Sequence, residues 1–459
     1  MNLAFRITQS PVSRPDLPAS LAVNPRRAQW LSWAGDGCVE VRSGKVEIGQ
    51  GILTALAQIA AHELRLPLDR IRMIPASTAH SPDEAVTSGS LSVQESGTAI
   101  GIACAEFRAR LVARAAERLG TDPEHCEARD GEIHHTASGR RVAYAALDPG
   151  SLLEGEVAPL QGGASVTEKP AAGPVGESLP RRDLPAKLRG APAYLHDLRL
   201  PGMWHARVLR AGIPGATLRA LDDSVLSRFG SRVTLVRDGN LVAVTSEREW
   251  LAIRAAALLE PTLRWDQPVL PFDDASASDW LRAQDADTKV IAERPDAQAE
   301  RPAPTLEITC SKPFIAHASL MPSCAVARWQ GDDLEVWSHT QGPYNLRADL
   351  ALVFPGANIT VHHAEGAGCY GHNGADDVAL DAALIAQHLS APVRVLWSRR
   401  DEMIRSPIGS AMTMRIRAWL DGSRITRWEH EVWSGGHSLQ PGRAPTPTLL
   451  AATEIASRP

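Results

Sequence analysis

Between Gly37 and Ile48 apolar and polar residues alternate: Val39 and Val41, then Val46 and Ile48 beyond Ser43-Gly44. That period of two predicts a hairpin turned at Ser43-Gly44. From Leu53 the period changes. Leu53, Leu56, Ala57, Ala60 and Leu64 recur at helical spacing, which predicts a helix stopped by Pro67. Ile71 to Pro75 reads as a short strand, and Ser77 to Ser92, rich in Ser, Thr and Gly, as loop. The alanine-rich stretch from Ser96 to Leu119 predicts a second helix closed by Gly120. Further on, Val233 to Val236 and Leu241 to Val244 flank Asp238-Gly239-Asn240 as a hairpin, and Glu247 to Leu259 is helical. A strand pattern at Ile359, Val361 and His363 leads to a helix from Asp376 to Leu389 and a strand from Val393 to Trp397.

Composition shifts divide the chain further. Residues 1–28 form a polar, proline-punctuated tail and 29–150 the first ordered unit. A linker rich in Gly, Pro and Ala occupies 151–183, a second unit 184–272, a charged connector 273–304 and a third unit 305–459. The expected fold class is α+β with mixed sheets in several domains, since 459 residues exceed one compact core. A net charge of -5 leaves no excess of Lys and Arg to neutralise phosphates, which excludes a general nucleic-acid binder. No apolar run is long enough to span a bilayer, and Met1 to Pro25 lacks a signal-peptide core, so the expected compartment is cytoplasmic. The six cysteines are scattered, with no C-x-x-C pair. That spacing supplies neither a zinc ribbon nor an iron–sulfur ligand set, so any cluster must sit on another polypeptide.

The densest candidate chemistry lies at Gly366-Ala367-Gly368-Cys369-Tyr370-Gly371, between a strand and a helix. Read literally it is a G-x-G-x-x-G with an acidic residue, Asp401, farther on, which is the pattern of a nucleotide-dependent dehydrogenase. Against that reading, His372-Asn373-Gly374 intervenes before the helix, and Asp376-Asp377 at the helix start would repel a pyrophosphate. A turn with no ligand is the plainer alternative. His134-His135, read as a surface turn, and His362-His363 and His372 lack metal-ligand spacing. Arg399-Arg400 reads as a strand end or solvated face, and Asp376-Asp377 as charge complementing the helix dipole.

The segments Trp337-Ser338-His339-Thr340-Gln341-Gly342 and Glu365 to Asp377 resemble the molybdopterin-binding subunits of the xanthine dehydrogenase and aldehyde oxidase family. Within it they are most similar to the isoquinoline 1-oxidoreductase β-subunit and nicotinate dehydrogenase branch. The resemblance implies that Gln341 approaches the metal oxo group and that Gly368, Tyr370 and Gly371 line the cofactor. Val46 to Gly51 and Thr87 to Ser92 resemble two further cofactor-binding segments, here preceding the Gly-rich turn in the permuted order of that branch. They add Gly49, Gln50, Gly51, Thr87, Ser90 and Ser92. Gly49 and Gly51 would offer backbone N–H groups at a helix start to a pterin or pyrophosphate anion. The second unit is similar to the family's small α/β hammerhead domain, a packing element without assigned chemistry.

By this resemblance the cofactor is molybdenum on molybdopterin, in its cytosine dinucleotide form. The activity is oxidation of an N-heteroaromatic compound or an aldehyde with water as oxygen source. Electrons would pass to a small [2Fe-2S] ferredoxin-like subunit. The family's general-base glutamate stands in a Gly-x-Gly-Glu segment, which this sequence lacks; Glu177 is the nearest mimic and reads as solvated connector. Gln440 to Pro459 also trails off without a closing element. The expectation is therefore a truncated or split form, inactive alone and completed by a second polypeptide. A structural subunit without turnover is the other reading.

Overall fold

The computed structural model describes residues 17–158, 173–213, 215–273, 276–294, 302–371, 375–436 and 445–456. In the first unit, strand Cys38–Arg42 pairs antiparallel with Leu31–Ala34 and parallel with Ile71–Ile74. Helices Ile52–Leu64 and Thr98–Leu119 pack together against this sheet around Leu56, Ala60, Ile100, Phe107 and Leu111. The first helix ends at Arg65 and the second at Gly120, both left-handed. The hairpin expected at Ser43-Gly44 does not form. Residues 43–46 are buried, and their amides find side chains instead of a ladder: Gly44 N donates to Glu84 Oε2 at 2.8 Å and Val46 N to Thr87 Oγ1 at 2.9 Å. A Cβ on Gly44 would lie 2.3 Å from Pro82 O, so the chain passes too close to the 82–87 loop for another strand. The real hairpin lies one step earlier, between Leu31–Ala34 and Cys38–Arg42, and its turn holds Gly37 at φ +84°.

A seven-stranded sheet forms the body of the molecule, in the order Asn358–His363, Asp333–Ser338, Cys324–Gln330, Val393–Leu396, Trp204–Leu209, Leu241–Ser246, Thr234–Asp238. Its strands come from both sides of the 273–304 connector. Helix Ala375–Leu389 covers it with an apolar stripe including Val378, Ala382, Ile385 and Ala386, and ends at Ser390 in the left-handed region. Helix Glu249–Leu259 packs on the outer strands through Leu251, Ala255 and Leu259.

Beyond it, strands Leu306–Lys312, Met412–Asp421 and Arg424–Ser434 make a separate antiparallel sheet. One face carries the ion pairs Arg415–Glu431 and Arg417–Glu429. The other carries Leu306, Ile308, Met414, Ile416, Trp428 and Val432, and Leu306, Ile308, Trp428 and Val432 are exposed.

Two local expectations are corrected, at His134-His135 and after Gln440, and one, at Arg399-Arg400, holds in part. His134-His135 belongs to strand Glu132–His135, paired on both sides. Arg399-Arg400 is a solvated face, as one of the two readings had it, but it opens helix Arg399–Arg405 and does not end a strand, with Ser398 and Asp401 capping the N-terminus reciprocally. Within the stretch after Gln440, residues 449–455 are packed and do not trail off: Leu449, Ala451 and Ile455 enter the core, and Glu454 Oε2 accepts from buried Arg210 Nε at 2.7 Å.

Candidate functional site

Two of the expected residues, Thr87 and Gln341, meet at the seam between the first unit and the large sheet, while Gly368 and Gly371 of the Gly-rich turn lie beside Leu320 and His317. Thr87 N donates to Gln341 O at 2.8 Å, and Gln341 Nε2 donates to Thr87 O at 2.9 Å. Both residues are buried. The loop leading to Thr87 extends the edge of the sheet: Thr78 N donates to Val361 O at 3.0 Å and His363 N to Ala76 O at 2.8 Å.

His363 spans the same seam. Its Nδ1 lies 3.1 Å from Thr340 O and its Nε2 3.0 Å from Glu47 O. Only a doubly protonated ring could donate to both carbonyls. Burial opposes that charge and pulls the pKa down to about 4, so at neutral pH the ring donates to one carbonyl and merely touches the other. Either way it joins the 46–51 segment to the strand that feeds the Gly-rich turn.

Around Gly49-Gln50-Gly51 the geometry departs from expectation. The buried Glu47 carboxylate accepts from Gly49 N at 2.9 Å and Gly51 N at 2.8 Å through Oε1, and from Leu53 N at 3.3 Å through Oε2. The helix start is thus already served by an internal anion, and these two amides do not face outward for a pterin or phosphate. Gln50 closes the loop, with Nε2 donating to Val46 O at 2.9 Å and Oε1 accepting from Ile48 N at 2.7 Å. Gly49 has φ +105° and open space where a Cβ would stand. Ser90 is exposed at φ 60°, and Ser92, half-buried, opens the π-turn Ser92–Gly97.

In the Gly-rich turn, Gly368, Tyr370 and Gly371 adopt φ 105°, 57° and 116°. Three left-handed residues in four positions reverse the chain sharply, and only Tyr370 bears a strain penalty for it. Its side chain is 63% exposed while Cys369 is buried. Gly366 lies against His339, where a Cβ would meet the imidazole at 2.9 Å. His372-Asn373-Gly374 lies outside the described residues. Asp376 and Asp377 are buried, not solvated helix-end charges. Thr340 Oγ1 donates to Asp376 Oδ1 at 2.5 Å, and Leu450 N to Asp377 Oδ1 at 2.5 Å. Burial pushes their pKa values up to about 6 and about 7.

The nucleotide-dehydrogenase alternative finds no geometric support. The strands flanking the glycines, Asn358–His363 and Val393–Leu396, are separated by two others, and Asp401 is engaged as a helix cap. Glu177 is exposed, and its backbone carbonyl accepts from Gln58 Nε2 at 3.2 Å. No group of three or more His, Cys, Asp or Glu side chains is arranged for a metal among the described residues. Glu47, His339, His363 and Glu365 are the site residues that sequence reasoning passed over. Glu47 sat inside the quoted motif, and its signal was a carboxylate placed just before a helix start.

Comparison with known proteins gives the chain's relationships. Residues 10–168 and 284–454 each match a molybdopterin cofactor-binding domain family. The chain is 34% identical over 461 residues to a nicotinate dehydrogenase subunit of Pseudomonas putida, covering 96% of this chain and 38% of that protein. It is 24% identical to the isoquinoline 1-oxidoreductase β-subunit of Brevundimonas diminuta, covering 90% of this chain and 60% of that one. Among solved structures, quinoline 2-oxidoreductase from Pseudomonas putida 86 aligns at TM-score 0.45 and 19% identity over 56% of this chain and 39% of that one. The chain belongs to the molybdopterin-binding subunits of the xanthine dehydrogenase family. It spans less than two thirds of the length of either curated relative.

Proposed function

We propose that this chain supplies the molybdopterin-binding part of a molybdenum hydroxylase that oxidises an N-heteroaromatic compound or an aldehyde. The observation that carries the reading is the Thr87–Gln341 pairing, which brings the two matched cofactor-binding regions into direct contact. When bound, the molybdenum centre supplies a metal-acidified oxygen donor derived from water and a two-electron acceptor. The chain's own part is binding and orientation. Gln341, held by Thr87, fixes the direction of its amide. The left-handed turn at Gly368 to Gly371 lets backbone approach the cofactor closely, and Tyr370 offers an aromatic wall for a planar ring. At Gly49 the open space admits the cofactor's body without using the amides that Glu47 occupies. Gln50 acts by closing the 46–51 loop, and Ser90 and Ser92, exposed and half-buried, are the hydroxyls of the neighbouring segment open to a ligand. The cytosine dinucleotide form, a cytoplasmic location and a small [2Fe-2S] partner are parts of the same proposal; the nicotinate dehydrogenase and isoquinoline 1-oxidoreductase relatives are themselves subunits.

The test is to produce the protein in a host that makes molybdenum cofactor and to measure molybdenum and oxidised pterin per chain. Near-equal amounts of both are expected. Purified protein holding neither, from a host that loads a known relative, would reject the reading.

A further inference from the structure

The stretch joining the first two units was expected to be a solvated connector, yet its second half is bound down. Gln58 Nε2 donates to Pro174 O at 2.9 Å, Arg182 N to Thr54 Oγ1 at 3.2 Å and Arg182 Nη1 to Ile71 O at 2.7 Å. A Cβ on Gly173 would fall 2.3 Å from the His62 ring, so the chain lies directly on helix Ile52–Leu64. From there a line of charged side chains runs between two segments of the proposed cofactor site. Arg181 Nη1 donates to Gly49 O at 2.6 Å, its stem packs where a Gly51 Cβ would stand, and Nη2 lies 3.6 Å from Glu47 Oε1. Arg181 is held in turn by Asp183 at 2.6 Å, Asp183 by Lys187 at 2.7 Å, and Lys187 by Glu365 at 2.5 Å. Glu365 immediately precedes the Gly-rich turn, and its carbonyl accepts from Leu195 N at 2.8 Å.

We infer that residues 173–190 act as a strap in which Arg181 and Lys187 are positioning residues for the cofactor, fixing the Gly49 loop and the Gly-rich turn relative to each other. The inference rests on the molybdopterin reading above. Arg181, Asp183 and Lys187 lie outside both matched domain regions, so neither family match covers them. The physical reason is the charge pattern. Lys187 sets its ammonium against the Glu365 carboxylate, and the two side chains are only 12% and 18% exposed. An ion pair this sheltered fixes geometry, because losing one partner strands the other charge in a poorly solvated place.

The experiment compares Lys187→Met, Lys187→Arg, Lys187→Glu and the swap Lys187→Glu with Glu365→Lys in the full chain, produced with cofactor supply. Pterin and molybdenum retained after dilution are followed over time, with hydrogen exchange at 49–53 and 366–371 as a second readout. Expected is cofactor loss on the order of tenfold faster for Lys187→Met and Lys187→Glu, by analogy with partners that orient metal ligands. Faster exchange should appear in both segments, with recovery in Lys187→Arg and partial recovery in the swap, which restores the 187–365 pair while Asp183 keeps only Arg181. Wild-type retention and exchange in Lys187→Met, or a swap no better than Lys187→Glu alone, would overturn the strap while leaving the cofactor reading intact. If Lys187→Met fails to fold, the comparison of the swap with Lys187→Arg decides. Wild-type protein that never takes up pterin would overturn both.

Discussion

Thr87 and Gln341 stand 254 positions apart in sequence and form a closed pair of hydrogen bonds, amide to carbonyl in one direction and side-chain amide to carbonyl in the other. Replacing Gln341 by Ala leaves Thr87 O buried without that donor. The expected cost is about 1–3 kcal/mol in chemical denaturation. Gln341→Glu should cost at least as much, since it sets a carboxylate against a carbonyl. In cofactor-loaded protein, Gln341→Ala should also lower turnover per bound pterin by more than it lowers pterin content, because one preorganised donor is worth roughly 2.7–4 kcal/mol of barrier in oxyanion holes. Equal denaturation midpoints for wild type and Gln341→Ala would remove the structural half of this claim. Unchanged turnover per pterin would remove the other half.

Glycines of the site should fail in two different ways. At Gly366 an added Cβ would meet the His339 ring at 2.9 Å, so Gly366→Ala must displace the imidazole that accepts from Cys324 N. At Gly49 nothing lies within 4 Å, and only φ +105° resists a side chain. Gly366→Ala should therefore disturb packing by about 1–3 kcal/mol. Gly49→Ala should carry backbone strain of about 1–3 kcal/mol with the core intact. Near-ultraviolet circular dichroism separates them: a changed spectrum is expected for Gly366→Ala and an unchanged one for Gly49→Ala. The reverse pattern would contradict the geometry.

The regular elements were legible because their apolar spacing is strong. The stripe at Leu56, Ala57, Ala60 and Leu64 and the continuous apolar run Leu241 to Val244 both became the elements their patterns specify. At Val46 and Ile48 an alternation of apolar and polar residues misled. Burial there comes from the 82–87 loop, a long-range packing that no local period encodes. Two of the motifs, at Thr87 and Gln341, meet in the fold, but the contacts around them are made by residues with bland local roles. Glu47 looked like one more strand position, His363 like half of a His pair, and Lys187 like the start of a second unit without assigned chemistry. Their partners are 2 to 6, 316 and 178 positions away respectively.

The apolar face of the three-stranded sheet should drive association. Leu306, Ile308, Trp428 and Val432 are each about half exposed on one side of it. Contiguous apolar surface of this kind marks an interface or an aggregation liability. The double substitution Trp428→Lys with Val432→Glu should reduce concentration-dependent association in sedimentation velocity. It should change stability little, since exposed positions usually fall within about 0.5 kcal/mol. Identical sedimentation for both proteins over the same concentration range would refute this.

The pH dependence of stability should turn on Asp377. Burial raises its pKa from 3.8 to about 7, with the Leu450 amide opposing and the charge of Asp376 adding to the rise. A carboxyl whose folded pKa lies above its unfolded value binds more protons when folded. Its contribution is complete below about pH 3.8 and is lost as pH climbs through about 7. Asp376, raised to about 6, acts in the same direction over a lower window. One buried and two half-buried histidines oppose them. His363, lowered from 6.5 to about 4, and His196 and His362, also lowered by burial, take up protons on unfolding, so their contribution is lost as pH falls below 6.5. Above pH 6.5 that opposition ends and the Asp377 effect stands exposed. Wild-type stability should therefore decline between pH 6.5 and 8, with a slope from this residue of at most about 1.4 kcal/mol per pH unit. Asp377→Asn keeps an oxygen for the Leu450 amide but cannot ionise. It should be less sensitive to pH over that interval and should match or exceed wild type at pH 8. Urea unfolding of both proteins at pH 6.5, 7.2 and 8 measures the difference. Parallel curves would mean that Asp377 reaches water or a cation when charged, and would overturn the assignment.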